Sequence, residues 1–408
     1  MKWSIWIICL ATTVRAAQDV WDLPPVSYSD TAPTDALAGL AADLASGRII
    51  VRGETELDRL RFVLRILHVP EESQVLVFSK TSHQNSLIRP ENPRALFFSP
   101  DAYVGHVPGG KIEAIVQDAV LGPVFYLIGA GRNGGLAIER DTSVCLSCHG
   151  TTATENVPGM QVRSVFADAD GRPLLSLGTR QVDHETPLSA RWGGYYVTGK
   201  SALPHLGNQF YQEDATPEPR PSELTDLSER IDVRKYLRST SDIVALMVLE
   251  HQCRIHNLLT AASMQYRRAR YLGHALDEQA DPDAGSAGRV ADFAADKIVE
   301  CLFFKNEADL GENVAGGADF QRVFEAILPR TTVGRSLADL KVDQHLFKYR
   351  CSYMVYSQAF KGLPPRVMQA VIHRMKRVLG GEDSKMEGLS SSERRKISEI
   401  LTETLPVW

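Results

Sequence analysis

The chain lacks a second C-x-x-C, an internal repeat and a marked excess of charge of either sign. Each absence removes a class. With 45 basic against 50 acidic residues and a formal charge of -5, nothing marks a nucleic-acid or anionic-membrane surface. Beyond the N-terminus the most apolar run is Ile243 to Leu249, far short of the ~20 residues a membrane-spanning helix needs. The length of 408 residues suffices for two domains and a sizeable core.

The N-terminus is the exception to this even texture. In "MKWSIWIICLATTVRAAQDV", Lys2 supplies a short positive region, Trp3 to Val14 an apolar stretch, and "VRAA" small residues where a signal peptidase reads. Residues 1–17 are expected to be a signal peptide, so the mature protein is expected to be periplasmic or otherwise exported. Six cysteines then fall to five, because Cys9 leaves with that segment. Cys253, Cys301 and Cys351 are scattered through helical-looking sequence. Three cannot pair evenly, and buried free thiols are the expectation for them.

The other two cysteines stand in "CLSCHG", Cys145 to Gly150. C-x-x-C-H is the signature of c-type haem attachment. On a helical turn, residues i and i+3 share a face, so both thiols reach the two vinyl groups on one porphyrin edge. His149 then reaches the iron from below as axial ligand. Attachment takes place outside the cytoplasm, which agrees with the N-terminal segment. A zinc site needs four ligands, and His184 and His205 are single and distant. A thioredoxin-like site needs a helix in a βαβ unit, whereas "TTATENVPGM" follows, polar and broken by Pro158 and Gly159.

Just upstream, "LIGAGRNGG" has a G-x-G-x-x-G pattern at Gly129, Gly131 and Gly134. A dinucleotide site requires a long helix directly after it. Only a short strand fits before Cys145, and Asn133-Gly134 reads as a hairpin turn.

The expected fold class is α+β: a β-rich haem domain followed by an α-helical domain. Residues 35–68 look helical, with Leu57, Leu60, Leu64 and Leu67 on one face. From 73 to 200 come short strand-like pieces, "SQVLVFS", "RALFFS", "KIEAIVQD", "GPVFYLI" and "WGGYYVTG", and a hairpin around Asp170-Gly171. The domain expectation is 18–211 for the haem domain, 212–228 for a proline-rich acidic linker and 229–408 for the helical domain. Helices are expected at 243–271, about 289–304, 318–328, 344–360 and 364–379, and after the capping box Ser390-x-x-Glu393.

Taken together, "VLVFSKTSHQNSLIRPENPRALFF", "YVGHVPGGKIEAIVQDAVLGPVFY", "CLSCHG", "VPGMQVRSVFADADGRPLL", "RWGGYYVTG", "DIVALMVLEHQ" and "KYRCSYMVYSQAF" resemble an uncharacterised family of exported bacterial cytochrome c domain-containing proteins. The resemblance covers nearly the whole mature chain. It implies one covalent haem c on Cys145 and Cys148 with His149 as axial ligand, and it implies no reaction. Related sequences often carry His-Met-Gly-Asn where this chain reads His205-Leu206-Gly207-Asn208, so a methionine ligand at that point is not available here.

The distal iron ligand is open: His205 first, then His184, then Met160. "EHQCRIH", Glu250 to His256, is not a metal helix, because histidines five apart point about 140° away from each other. Glu250 and Arg254 fit an i, i+4 ion pair. Electron transfer to an unknown redox partner is the leading function, and no catalytic residue is assigned. The alternatives are a peroxidase-like haem enzyme or small-ligand sensor, with Arg163, Arg180 or His184 on an open distal side, or an interaction module with a structural haem.

Overall fold

A period-2 pattern sets the centre of the molecule. In the computed structural model the described residues are 19–51, 55–131, 135–214, 216–279, 281, 283–386 and 388–408. The expected signal peptide, Cys9, Asn133 and Gly134 lie outside them. Strands β1 (Val75–Val77), β2 (Arg94–Ser99), β3 (Ala102–His106), β4 (Ile112–Asp118), β5 (Gly122–Ala130) and β6 (Leu136–Asp141) pair antiparallel in chain order. β9 (Tyr195–Tyr196) adds to the free edge of β1. Along β4, Ile112, Ala114 and Val116 are buried while the residues between them are half-buried, the alternation of a strand covered on both faces.

One face of the sheet packs on α1 (Ala36–Ala45) and α2 (Glu56–Ile66) through Leu37, Leu40, Leu60, Val63 and Leu64. Asp35 caps α1, and a Thr55/Asp58 capping box starts α2. The other face, through Val75, Val77 and Phe98, packs on α4 (Ile243–Leu276). α5 (Gly285–Leu302) packs on α4, α8 (Pro365–Gly380) on α5, and α9 (Ser391–Thr404) on α8. The α+β class is therefore observed.

Several elements differ from expectation. β3 is an added strand, masked in sequence by Gly105. A Cβ there would come within 2.6 Å of the Arg94 guanidinium, so the glycine makes room for that side chain. Segment 212–228, expected as a linker, contains β11 (Arg220–Leu224), paired with β10 (Gly199–His205). One apolar cluster runs from β1 and β2 through α4 to α9, so a continuous core crosses the expected boundary.

The expected helix 344–360 is instead an irregular run with a 3-10 turn at Tyr353–Tyr356 and the short α7 (Gln358–Lys361). Ser352 and Ser357 explain this. Their hydroxyls cap Met354 N–H and Phe360 N–H and interrupt the helical ladder. The shorter α6 (Ala318–Ala326) falls where a helix was expected. The glycine-rich stretch ends β5, with Gly131 N–H donating to Gly135 C=O; a strand follows it, not the helix a nucleotide site needs.

Candidate functional site

The edge strand β6 delivers the C-x-x-C-H motif. Its last residue, Asp141, accepts hydrogen bonds from Ser143 N–H and Cys145 N–H, both at 3.0 Å. This turns the chain into the single helical turn α3 (Leu146–His149). Cys148 N–H and His149 N–H both donate to Cys145 C=O, at 3.2 and 3.0 Å. Leu146 plugs the turn into the sheet core. Cys145 is half-buried, Cys148 is exposed, and both thiols are free. Burial, then the charges of Asp141 and Glu113, push the Cys145 thiol up to about 12.

His149 is clamped at two points by Gly159. Its Nδ1 lies 2.8 Å from Gly159 C=O, and Gly159 N–H donates to His149 C=O at 2.8 Å. A carbonyl only accepts, so Nδ1 carries the proton. Burial holds the imidazole below its ordinary pKa. The ring is then neutral, with an unprotonated Nε2 free to ligate. A ligating histidine is oriented and made more basic by this kind of bond. The Phe125 ring, 5.3 Å away, supports the imidazole.

The clamp is itself held from the core. Asn257 of α4 accepts from Met160 N–H at 2.9 Å and donates to Met160 C=O at 2.7 Å. A Cβ on Gly159 would lie 2.4 Å from Asn257 Oδ1 and 2.8 Å from Thr154 Cβ, so only glycine fits there. Neither Asn257 nor Gly159 was singled out from sequence. "VPGM" after the motif was the available signal for the glycine; for Asn257, 97 residues on, there was none.

Charged groups surround the turn. Arg94 and Glu113 form an ion pair across β2 and β4. Burial works against ionisation of Glu113, but Arg94 and hydrogen bonds from Gln84 and Ser82 outweigh it and hold the carboxyl below its usual range. Arg163, in β7 (Arg163–Val165), adds positive potential at His149. Arg180, in β8 (Thr179–Gln181), is exposed and pairs in register with Ser164.

The three expected distal ligands each make other contacts in this structure. His205, ranked first, uses both ring nitrogens: Nδ1 accepts from Gly207 N–H at 3.0 Å, and Nε2 lies 2.8 Å from Ser222 Oγ. An accepting Nδ1 puts the proton on Nε2, which leaves no lone pair for iron. That ranking is therefore corrected. His184 is buried against His251, with Nδ1 atoms 3.2 Å apart. Met160 is buried in the core, and its backbone is fixed beside the Nδ1 edge of His149, away from Nε2.

The expected Glu250–Arg254 pair is also corrected. Glu250 is fully buried and pairs with Arg191 at 2.8 Å and with Trp192 Nε1–H. Arg254 pairs with Glu155 at 2.6 Å. Glu250 faces the core while Arg254 reaches the surface, so the helical spacing alone did not set the partners. No helix among the described residues is long and apolar enough to cross a membrane. No protein-family model, curated protein or solved structure matches the chain.

Proposed function

We propose that the chain is an exported c-type cytochrome with one covalent haem, used for electron transfer to a redox partner. Cys145 and Cys148 are the attachment thiols and His149 the axial ligand. Membership of the exported cytochrome c domain-containing family belongs to the same proposal. The observation that carries it is the state of His149. A neutral ring, with Nδ1–H given to Gly159, offers an Nε2 lone pair within one helical turn of two free thiols. Bound haem supplies a reversible one-electron iron couple tuned by its axial ligands. The chain's own part is to fix the imidazole, through Gly159 and Asn257, and to leave Cys148 at the surface.

A second reading, a haem enzyme or small-ligand sensor with an open distal side, is favoured by one observation. His205, His184 and Met160 are each engaged in other contacts. The test is the absorption spectrum of protein exported with a c-type maturation system: oxidised, reduced, and reduced with carbon monoxide. Low-spin haem indifferent to carbon monoxide supports electron transfer. Ready carbon monoxide binding moves the function to catalysis or sensing. Absence of covalent haem overturns both readings.

A further inference from the structure

A second cluster of soft donors lies in the core, outside the C-x-x-C-H turn. His184 comes from the loop between β8 and β9, His251 from α4 and Cys301 from the last turn of α5. One ligand atom from each lies within 4.8 Å of the other two, and all three residues are buried. From sequence His184 was a candidate iron ligand and single as a zinc ligand, His251 was set aside by its angle to His256, and Cys301 was read as a buried singleton.

One buried nitrogen of this cluster is left without a hydrogen-bond partner. His184 Nδ1 and His251 Nδ1 face each other at 3.2 Å. His251 Nε2 is held by Ser352 Oγ at 2.7 Å. His184 Nε2 is buried and has no partner. In the tautomer with a proton on each Nε2, the two Nδ1 lone pairs face the space between the rings, where a cation would take both.

The separation of the two nitrogens suits a tetrahedral metal, and the sulfur lies within 4.8 Å of a ligand atom of each histidine. Zn–N of 2.0–2.1 Å and Zn–S of 2.3 Å imply about 3.3 Å between nitrogens and about 3.6 Å from nitrogen to sulfur. The observed nitrogen separation is 3.2 Å. The surroundings are fixed. His184 C=O accepts from Ala308 N–H at 2.9 Å and from Arg191 at 3.2 Å. Phe304 stacks on His251 at 4.0 Å and lies 5.3 Å from His184. Phe304 has φ +53°, a backbone region that bulky residues rarely occupy and that clusters at functional sites. Asp183 and Glu307 place negative charge towards His184.

We propose that His184, His251 and Cys301 form a buried site, two imidazole nitrogens and one thiolate sulfur, for a d-block cation, zinc by preference, that ties the loop before β9 to α4 and α5. Nitrogen and thiolate donors with tetrahedral spacing select zinc over calcium or magnesium. Three protein ligands leave the fourth position to a water or a small anion. Ser352 orients His251 as an outer-shell partner.

The test is the metal content of the full-length protein as purified, by mass spectrometry of the elements, with zinc read separately from haem iron. About one zinc per chain is expected. Zinc-edge X-ray absorption is expected to show two nitrogens and one sulfur. Cys301→Ser and His184→Gln are each expected to lower zinc occupancy by roughly ten-fold or more. Cys253→Ser, a buried thiol outside the cluster, is expected to keep it. Zinc retained equally by the cluster variants would overturn the site. So would a stripped wild-type protein that takes up neither zinc nor cobalt. If the variants fail to fold, the wild-type absorption edge decides: a zinc with no sulfur neighbour overturns the proposal. The proposal stands or falls independently of the haem.

Discussion

The turn at Cys145–His149 and the middle of α4 are built on opposite terms. The turn lies at a sheet edge, with one cysteine exposed, and bonds mostly to residues within ten positions of itself. In α4, Glu250, His251, Gln252, His256 and Asn257 are all buried, and each finds its partner in a distant part of the chain. Gln252 bonds Ser99 C=O and Tyr353, and His256 bonds Tyr103, in some cases 153 residues away. In the proposed function the local turn presents the chemistry, and the remote row supplies rigidity. Asn257 connects them by holding Met160, and through it the Gly159 carbonyl behind His149.

If that division is right, substitutions in the row should cost stability and those in the turn should cost chemistry. The largest stability loss is expected from Arg191→Leu, which strands the fully buried Glu250. Removing one partner of a buried pair costs roughly 3–5 kcal/mol, and the double change Arg191→Leu, Glu250→Leu should regain much of it. Urea midpoints of the single and double variants check this. Next is Asn257→Leu, which leaves Met160 N–H and C=O without their partners, at roughly 2–4 kcal/mol. It should also weaken the His149–Gly159 bond, make the imidazole less basic and raise the reduction potential of the loaded protein, read by redox titration.

Acid should act on this row and on His205 of β10. Burial pushes His205 down to about 4 and His256 down to about 3. Both stay neutral in the folded chain while the unfolded chain takes up protons below about 6.5. Their stabilising contribution is present above that pH and is lost as pH falls towards 4. Burial raises Glu250 to about 7, against the pull of Arg191 and Trp192. Its contribution has the opposite sign: present below the ordinary carboxylate range and lost as pH rises through 7. Between pH 5 and 6 the two histidines outweigh the one carboxyl. Stability should fall towards acid, by about 1.4 kcal/mol per pH unit for each proton of difference. Glu250→Gln should steepen that fall; a shallower slope would reverse the assignment.

Smaller effects sharpen the contrast. Tyr103→Phe removes the hydroxyl 2.8 Å from His256 Nδ1 and should cost about 1–2 kcal/mol in a thermal melt. Cys148→Ser, on an exposed side chain, should change the stability of haem-free protein by less than about 0.5 kcal/mol. It should at the same time remove one of the two covalent links.

What was legible followed from local patterning. The leucine spacing gave α2, the alternation in "KIEAIVQD" gave β4, the uninterrupted apolar start of the expected helix 243–271 gave a buried α4, which runs on to Leu276, and Ser390 gave the start of α9. The turn carrying Cys145, Cys148 and His149 also formed where its spacing placed it. Contacts between distant residues were not legible. Nothing near Glu250 names Arg191, and nothing near His205 names Ser222. The strand β11 was hidden by proline and acidic residues, which an edge strand of a two-stranded sheet tolerates. Ser352 and Ser357 broke a helix whose apolar residues alone fit the helical period.

The central claim is that Cys145 and Cys148 hold one haem by covalent bonds. Its most direct test is the intact mass of the exported, purified and denatured chain, beside that of the Cys145→Ala, Cys148→Ala variant. The predicted wild-type mass is the mature polypeptide plus one haem with its iron, and the variant should have the polypeptide mass alone. A wild-type chain at the bare polypeptide mass, from cells that mature other c-type cytochromes, would contradict the account.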